Sequence, residues 1–172
     1  MLKTLLQGLR TPLTEGKPRP DPGLTTLAAK LDQAARRKLG RSLAIREVDA
    51  GSCNGCELEI HALTNAFYDL EHYGLHFVAS PRHADVLLVT GPVTKNMREA
   101  LERTWCATPD PKWVVAVGDC AADCHVFSDS YAVVGGVATV VPVALEIRGC
   151  PPTPTQLLQG LLTLMEGSVI KL

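Results

Sequence analysis

Two short stretches, Val86–Thr90 and Trp113–Val117, are almost unbroken apolar runs. A strand that is apolar on both faces has to be covered on both faces, which is the environment of a parallel sheet flanked by helices. The segments around them alternate accordingly. Residues 42–48 carry Leu43, Ile45 and Val48 on a strand period, and 57–73 carry apolar residues on a helical period and end at Gly74. Residues 75–79 read as a strand, 94–105 as a helix, 143–147 as a short last strand and 153–165 as a closing helix. Repeated strand–helix units predict an α/β fold: an open, mostly parallel, flavodoxin-like sheet with helices on both faces. A chain of 172 residues, 46% hydrophobic, supports one such core.

The amino-terminal quarter is different. Ten of the seventeen Lys and Arg residues precede position 48, against four acids. Residues 11–24 hold Pro12, Pro18, Pro20 and Pro22 with two glycines, a composition that predicts an extended arm. After it, Thr25 or Thr26 is placed to cap a helix that runs to about Lys38 and stops at Gly40. The expected division is therefore a basic, proline-rich arm and helix over 1–41 and a single α/β domain over 42–172. The basic quarter is either a solvated surface or a clamp on a partner subunit or anionic lipid. A net charge of -1 argues against nucleic-acid binding by counterion release. With no membrane-spanning run and no secretory pattern at the start, the expected location is the cytosol.

The six cysteines, at 53, 56, 106, 120, 124 and 150, are the unusual element. A chain with this much core does not need disulfide staples, and in a reducing compartment such thiols point to metal binding or catalysis. In open α/β sheets, ligands sit beyond the carboxyl ends of the strands. Cys53 and Cys56, Cys120, and Cys150 each follow a predicted strand, so three loops deliver four thiols to one edge. Cys106 ends a helix at the opposite edge and reads as a buried or half-buried thiol. Cys124, four residues past Cys120, is a spectator, a neighbour of the site or a substitute for Cys150 as ligand.

Four thiolates including a C-x-x-C pair suit zinc or an iron–sulfur cluster, with unligated thiols the remaining reading. The solitary Cys150, the prolines after it and the glycines beside each thiol (Gly51, Gly55, Gly118, Gly149) favour a [4Fe-4S] cluster. Glu57 and Glu59 stand next to the pair, where a carboxylate relays protons or simply favours a helix amino-terminus. Arg82, His83, Asp119, Asp123 and His125 are candidates for tuning the site by charge or hydrogen bonding. Trp105 and Trp113 are expected in the core.

Residues 51–60 (GSCNGCELEI), 80–91 (SPRHADVLLVTG), 109–120 (PDPKWVVAVGDC) and 149–154 (GCPPTP) resemble, in this order, the small subunit of energy-converting group 4 [NiFe] hydrogenases. The B subunit of respiratory complex I, the 20 kDa subunit family, is similar. The resemblance spans about residues 42–165. It implies one [4Fe-4S] cluster, the proximal one, held at the positions of Cys53, Cys56, Cys120 and Cys150. It also implies three kinds of partner: a large NiFe subunit, a ferredoxin-like iron–sulfur subunit and membrane subunits on whose cytoplasmic side the chain sits peripherally. The Cys53-Asn54-Gly55-Cys56 spacing is that of the hydrogenase branch, formate hydrogenlyase-like or carbon monoxide-linked, whereas the complex I branch has adjacent cysteines. After Cys120 the chain departs from both branches: Ala121, Ala122, Asp123, Cys124 and His125 replace a glycine-rich run.

Overall fold

In a computed structural model of the chain, residues 22–167 are described. Helix α1 (Pro22–Leu39) is followed by strand β1 (Ala44–Asp49), helix α2 (Gly55–Ala62), β2 (His76–Phe77), β3 (Val86–Thr90), β4 (Val93–Thr94) and helix α3 (Lys95–Ala107). Strand β5 (Trp113–Val117), the five-residue helix α4 (Asp119–Asp123), β6 (Val133–Gly135), β7 (Leu145–Ile147) and helix α5 (Pro154–Glu166) complete it. Five strands form one sheet in the order β2-β1-β3-β5-β7, every pairing parallel. This is the doubly wound, flavodoxin-like order, reversing direction at β1/β3. Strands β4 and β6 form a small antiparallel pair beside it.

The two apolar runs are buried along nearly their whole length, and their alternate residues feed different cores. Val86, Leu88, Val115 and Val117 pack with Leu31 of α1, Ile60 of α2 and Leu157 and Leu161 of α5. Leu87, Val89, Val114 and Ala116 pack with Leu101 of α3 and Ala121 of α4. Helices therefore cover both faces, and each fully buried leucine contributes about 1.5–3 kcal/mol of transfer free energy. At Gly160 a side chain would stand 2.4 Å from Cδ1 of Ile147, so α5 lies directly on β7.

Helix α1 begins earlier than its threonines suggest. Pro22 fits the first helical turn, where the missing N–H is no loss, and the Thr26 hydroxyl donates to the Pro22 carbonyl from inside the helix. Residues 22–24, assigned to the extended arm on composition, are thus helical; residues 1–21 lie outside the described residues. Leu24, Ala28, Leu31, Ala34 and Ala35 bury one face of α1. Lys38 Nζ donates to the Leu164 carbonyl at 3.0 Å and lies over the Trp113 ring. Arg41 forks onto the buried Asp85 carboxylate at 2.6 and 3.0 Å, which also accepts from the Ala44 amide. Arg41 is itself exposed, so the pair is solvent-screened on one side, and its loss would leave the buried Asp85 carboxylate with the Ala44 amide.

The helix expected over 57–73 stops at Ala62. Asn65 Oδ1 accepts from the amides of Phe67 and Tyr68, an alternative that takes the backbone out of the helix. A short 3₁₀ turn, Leu70–Tyr73, then ends at Gly74 with φ 75°. Trp105 and Trp113 are half-buried, packed against the margins of the two cores, each with a lysine over its ring. Cys106 is exposed in the last turn of α3, not buried.

Candidate metal centre

Because all five strands of the main sheet are parallel, the loops after β1, β5 and β7 emerge at one edge. Cys53 lies in the first, Cys56 in the opening turn of α2, Cys120 in α4 and Cys150 just beyond β7. The loops touch. A methyl on Gly55 would meet Cys53 Sγ at 3.5 Å and Cβ of Pro151 at 3.9 Å. One on Gly118 would stand 2.6 Å from Cys56 Sγ and 3.4 Å from the Gly149 carbonyl. Gly118 also has φ 90°, so any other residue there is strained as well as obstructed.

The thiols share an electrostatic environment. Burial pushes Cys56 up to about 12, followed by the charges of Glu57, Cys53, Cys120 and Cys150. Burial also raises Cys120, followed by Cys150 and Cys53. Cys53 and Cys150 are exposed while Cys56 and Cys120 are half-buried, so the edge opens outward. Among the described residues no group of three or more His, Cys, Asp or Glu side chains is gathered tightly enough to hold a single metal ion. The four thiols are therefore electrostatic neighbours, not a closed one-ion shell. Mutual repulsion of this kind is relieved by a cationic metal group that takes the thiolates.

Hydrogen bonds within the first loop brace it. Asp49 Oδ1 accepts from the amides of Gly51 at 2.7 Å and Ser52 at 2.8 Å. Ser52 Oγ accepts from the Asn54 amide at 2.9 Å and donates to Glu57 Oε1 at 2.5 Å. Asn54 adopts the left-handed conformation, φ 70°, which Asn tolerates, and leads into α2. Glu57 is more than a surface acid at a helix start: it is 6% exposed, and its Oε2 is buried with no hydrogen-bond partner among the described residues. Glu59, two residues on, is half-buried.

The other two loops are joined to each other. The Asp119 amide donates to the Gly149 carbonyl at 3.0 Å, and the Gly149 amide donates to Asp119 Oδ1 at 3.1 Å. At the far end of α4, Arg148 Nη1 donates to Asp123 Oδ2 at 2.6 Å and its Nη2 to Glu146 Oε2 at 3.1 Å. The guanidinium holds the Asp123 carboxyl below its ordinary range, and Asp123 in turn raises Arg148. Asp123 is therefore charge-compensated, not an added negative charge at the site as its position alone suggests. Cys124 is buried with φ 67°, its thiol pushed up by burial and then by Asp123. His125 is exposed, with its amide on Asp123 Oδ1.

Arg82 and His83 are not brought to the thiols. They form a 3₁₀ turn, Pro81–His83, capped by Ser80 before β3, at the opposite edge from the three loops. The residues that sequence reasoning missed are Asp49, Ser52 and Arg148. The first two carried a signal, short polar side chains beside a glycine in a turn. Arg148 carried none, because its partner Asp123 is 25 positions away.

Residues 53–164 match the family described as NADH ubiquinone oxidoreductase, 20 kDa subunit. The chain is 45% identical over 132 residues to formate hydrogenlyase subunit 7 of Escherichia coli, covering 77% of this chain and 52% of that protein. It is 43% identical over 128 residues to a probable membrane-bound hydrogenase subunit of Pyrococcus furiosus, covering 74% and 77%. Thus it spans about half the length of the first relative and three quarters of the second. A chain in the structure of the membrane-bound sulfane sulfur reductase, an archaeal respiratory membrane complex, superposes with TM-score 0.65 at 36% identity, covering 80% of this chain and 74% of that one. No helix among the described residues is long and apolar enough to cross a membrane.

Proposed function

The chain belongs to the family of the 20 kDa subunit of NADH ubiquinone oxidoreductase, and from that premise we propose that it is the electron-transfer subunit of a hydrogenase-type membrane complex. In this reading Cys53, Cys56, Cys120 and Cys150 hold one [4Fe-4S] cluster. The observation that carries it is the convergence of four mutually coupled thiols from three loops on one sheet edge, with Gly118 leaving room at Cys56. A cluster held there supplies one-electron transfer.

The chain's own residues bind and shield. The thiolates are the donors, the Asp49–Ser52–Glu57 bonds fix the first loop, and the Asp119–Gly149 pair fixes the other two. The sheet and α5 keep water from the inner side, and the exposed Cys53 and Cys150 face the outer side, where a large NiFe subunit docks. A ferredoxin-like subunit exchanges electrons on the other flank. Membrane subunits hold the assembly at the cytoplasmic surface, and the basic amino-terminal quarter, ahead of the 42–172 unit, is a docking surface for a partner. Glu57, with its unpartnered buried oxygen, and Glu59 are the groups placed to accept or pass a proton beside the thiols.

The match to a sulfane sulfur reductase complex favours a second reading, in which the same relay serves a large subunit that reduces sulfane sulfur in place of a NiFe subunit. Quinone reduction of the complex I kind is disfavoured by the Cys-x-Gly-Cys spacing. Anaerobic purification of the full chain with its bound subunits, followed by metal and acid-labile sulfide analysis and electron paramagnetic resonance, tests these. About four iron and four sulfide on this chain once the bound subunits are separated from it, with nickel in the partner, is the expected result. Iron without nickel selects the second reading, and zinc without sulfide overturns both.

A further inference from the structure

The segment after Cys120 is where the chain departs from the glycine-rich run of its resemblance, and Asp123 lies within it. Its carboxylate reaches across to Arg148, two residues before Cys150. Helix α4 is thus tied to the β7 loop twice, by Asp119 and Gly149 before Cys120 and by Asp123 and Arg148 after it. The second tie is saturated. Asp123 uses one oxygen on Arg148 and the other on the His125 amide, and Arg148 divides its two terminal nitrogens between Asp123 and Glu146. Side-chain exposures of 42% for Arg148 and 55% for Asp123 make the pair a weak contributor to stability. Its charges nevertheless flank two of the thiol-bearing loops, Asp123 three residues after Cys120 and Arg148 two before Cys150.

We infer that Asp123 and Arg148 are positioning residues, a charge-balanced staple across the loops of Cys120 and Cys150 that holds these thiols in register and sets the reduction potential of the group they bind. The inference rests on reading the quartet as the ligands of one cluster. Reduction adds a negative charge at the site. A lone Arg148 therefore favours the reduced state, and a lone Asp123 with Glu146 disfavours it. A staple that served only to hold the loops together would give the two single substitutions the same sign.

The test is a redox titration followed by electron paramagnetic resonance, together with iron counts, on the full chain purified anaerobically with its bound subunits. Asp123→Asn is expected to shift the cluster's reduction equilibrium three- to tenfold toward the reduced state, roughly 30–60 mV for a one-electron couple, and Arg148→Gln by a similar factor the other way. The double variant returns to within about twofold of the unsubstituted protein, and high salt shrinks both single shifts. Shifts of the same sign, or unchanged potentials at full iron content, overturn the inference and leave the cluster reading intact. If a single variant loses iron, the reversed pair, Asp123→Arg with Arg148→Asp, restores it; failure to restore it counts against the staple. An unsubstituted chain without iron, sulfide or signal overturns the cluster reading and this inference together.

Discussion

The two halves of the thiol quartet are held by opposite means. Cys53 and Cys56 belong to one turn whose shape is written into its own polar side chains: Asp49 gathers the Gly51 and Ser52 amides, and Ser52 links Asn54 to Glu57. Cys120 and Cys150 sit 30 residues apart on two loops held mainly to each other, by the hydrogen bonds that Asp119 and Gly149 exchange and by the Arg148–Asp123 pair. A self-braced turn keeps its form even if the neighbouring loops loosen. The cross-loop pair exists only while β5 and β7 remain in register, so it should be the first part of the site to fail.

The strongest way to break this contrast is to remove donors. Cys150→Ser is expected to abolish nearly all bound iron and sulfide, whereas Cys106→Ser and Cys124→Ser retain them, as read by metal analysis. Retention in Cys150→Ser with loss in Cys124→Ser would move the second half of the site onto α4 alone. A smaller effect separates the two bracing schemes. Asp119→Ala removes the side-chain acceptor of the Gly149 amide and should cost about 1–3 kcal/mol in denaturant unfolding, with a matching fall in cluster retention. Ser52→Ala deletes two bonds of a turn that keeps its Asp49 contacts, and should cost about 1 kcal/mol with most of the cluster retained.

The mildest effect is electrostatic and belongs to the first half. In the metal-free protein the Cys56 thiol is raised from 9.0 to about 12, so the folded state prefers it protonated. That preference stabilises the fold fully below pH 9.0 and is lost as pH rises toward about 12. Thermal melts of the metal-free chain should therefore fall over this window. Glu57→Gln removes the second-largest cause of the shift and should flatten the fall and speed alkylation of Cys56 at a fixed alkaline pH. An unchanged alkylation rate would remove Glu57 from the electrostatics of the turn.

What was legible in the sequence follows the same division. The runs Val86–Thr90 and Trp113–Val117 form strands with the very ends read from the sequence, because burial on both faces selects a nearly continuous apolar run; the one buried polar residue, Thr90, donates its hydroxyl to the Val48 carbonyl. Thr153 was legible as the start of the last helix and is its cap, with Gln156 completing a capping box. The helix over 57–73 was misread because apolar spacing continues past Ala62 while Asn65 ends the helix by side-chain bonds that periodicity does not register. Arg82 and His83 were candidates by charge alone, and strand direction places them at the wrong edge. Arg148 was invisible because its meaning depends on Asp123, and no local pattern links the two.

The bond from Lys38 to the Leu164 carbonyl spans 126 residues and closes α1 against α5. During synthesis, α1 is made well before α5, and its buried face is covered only in part, by residues such as Leu43, Leu70 and Leu75, until α5 packs on it. Its leucines stay partly uncovered until residues 154–166 have been made, which exposes a sticky intermediate to the cell. The thiols obey the same clock, since Cys53 is made long before Cys150. The four thiols therefore come together only once Cys150 has been made, and a chain stalled before α5 presents them beside an unclosed core.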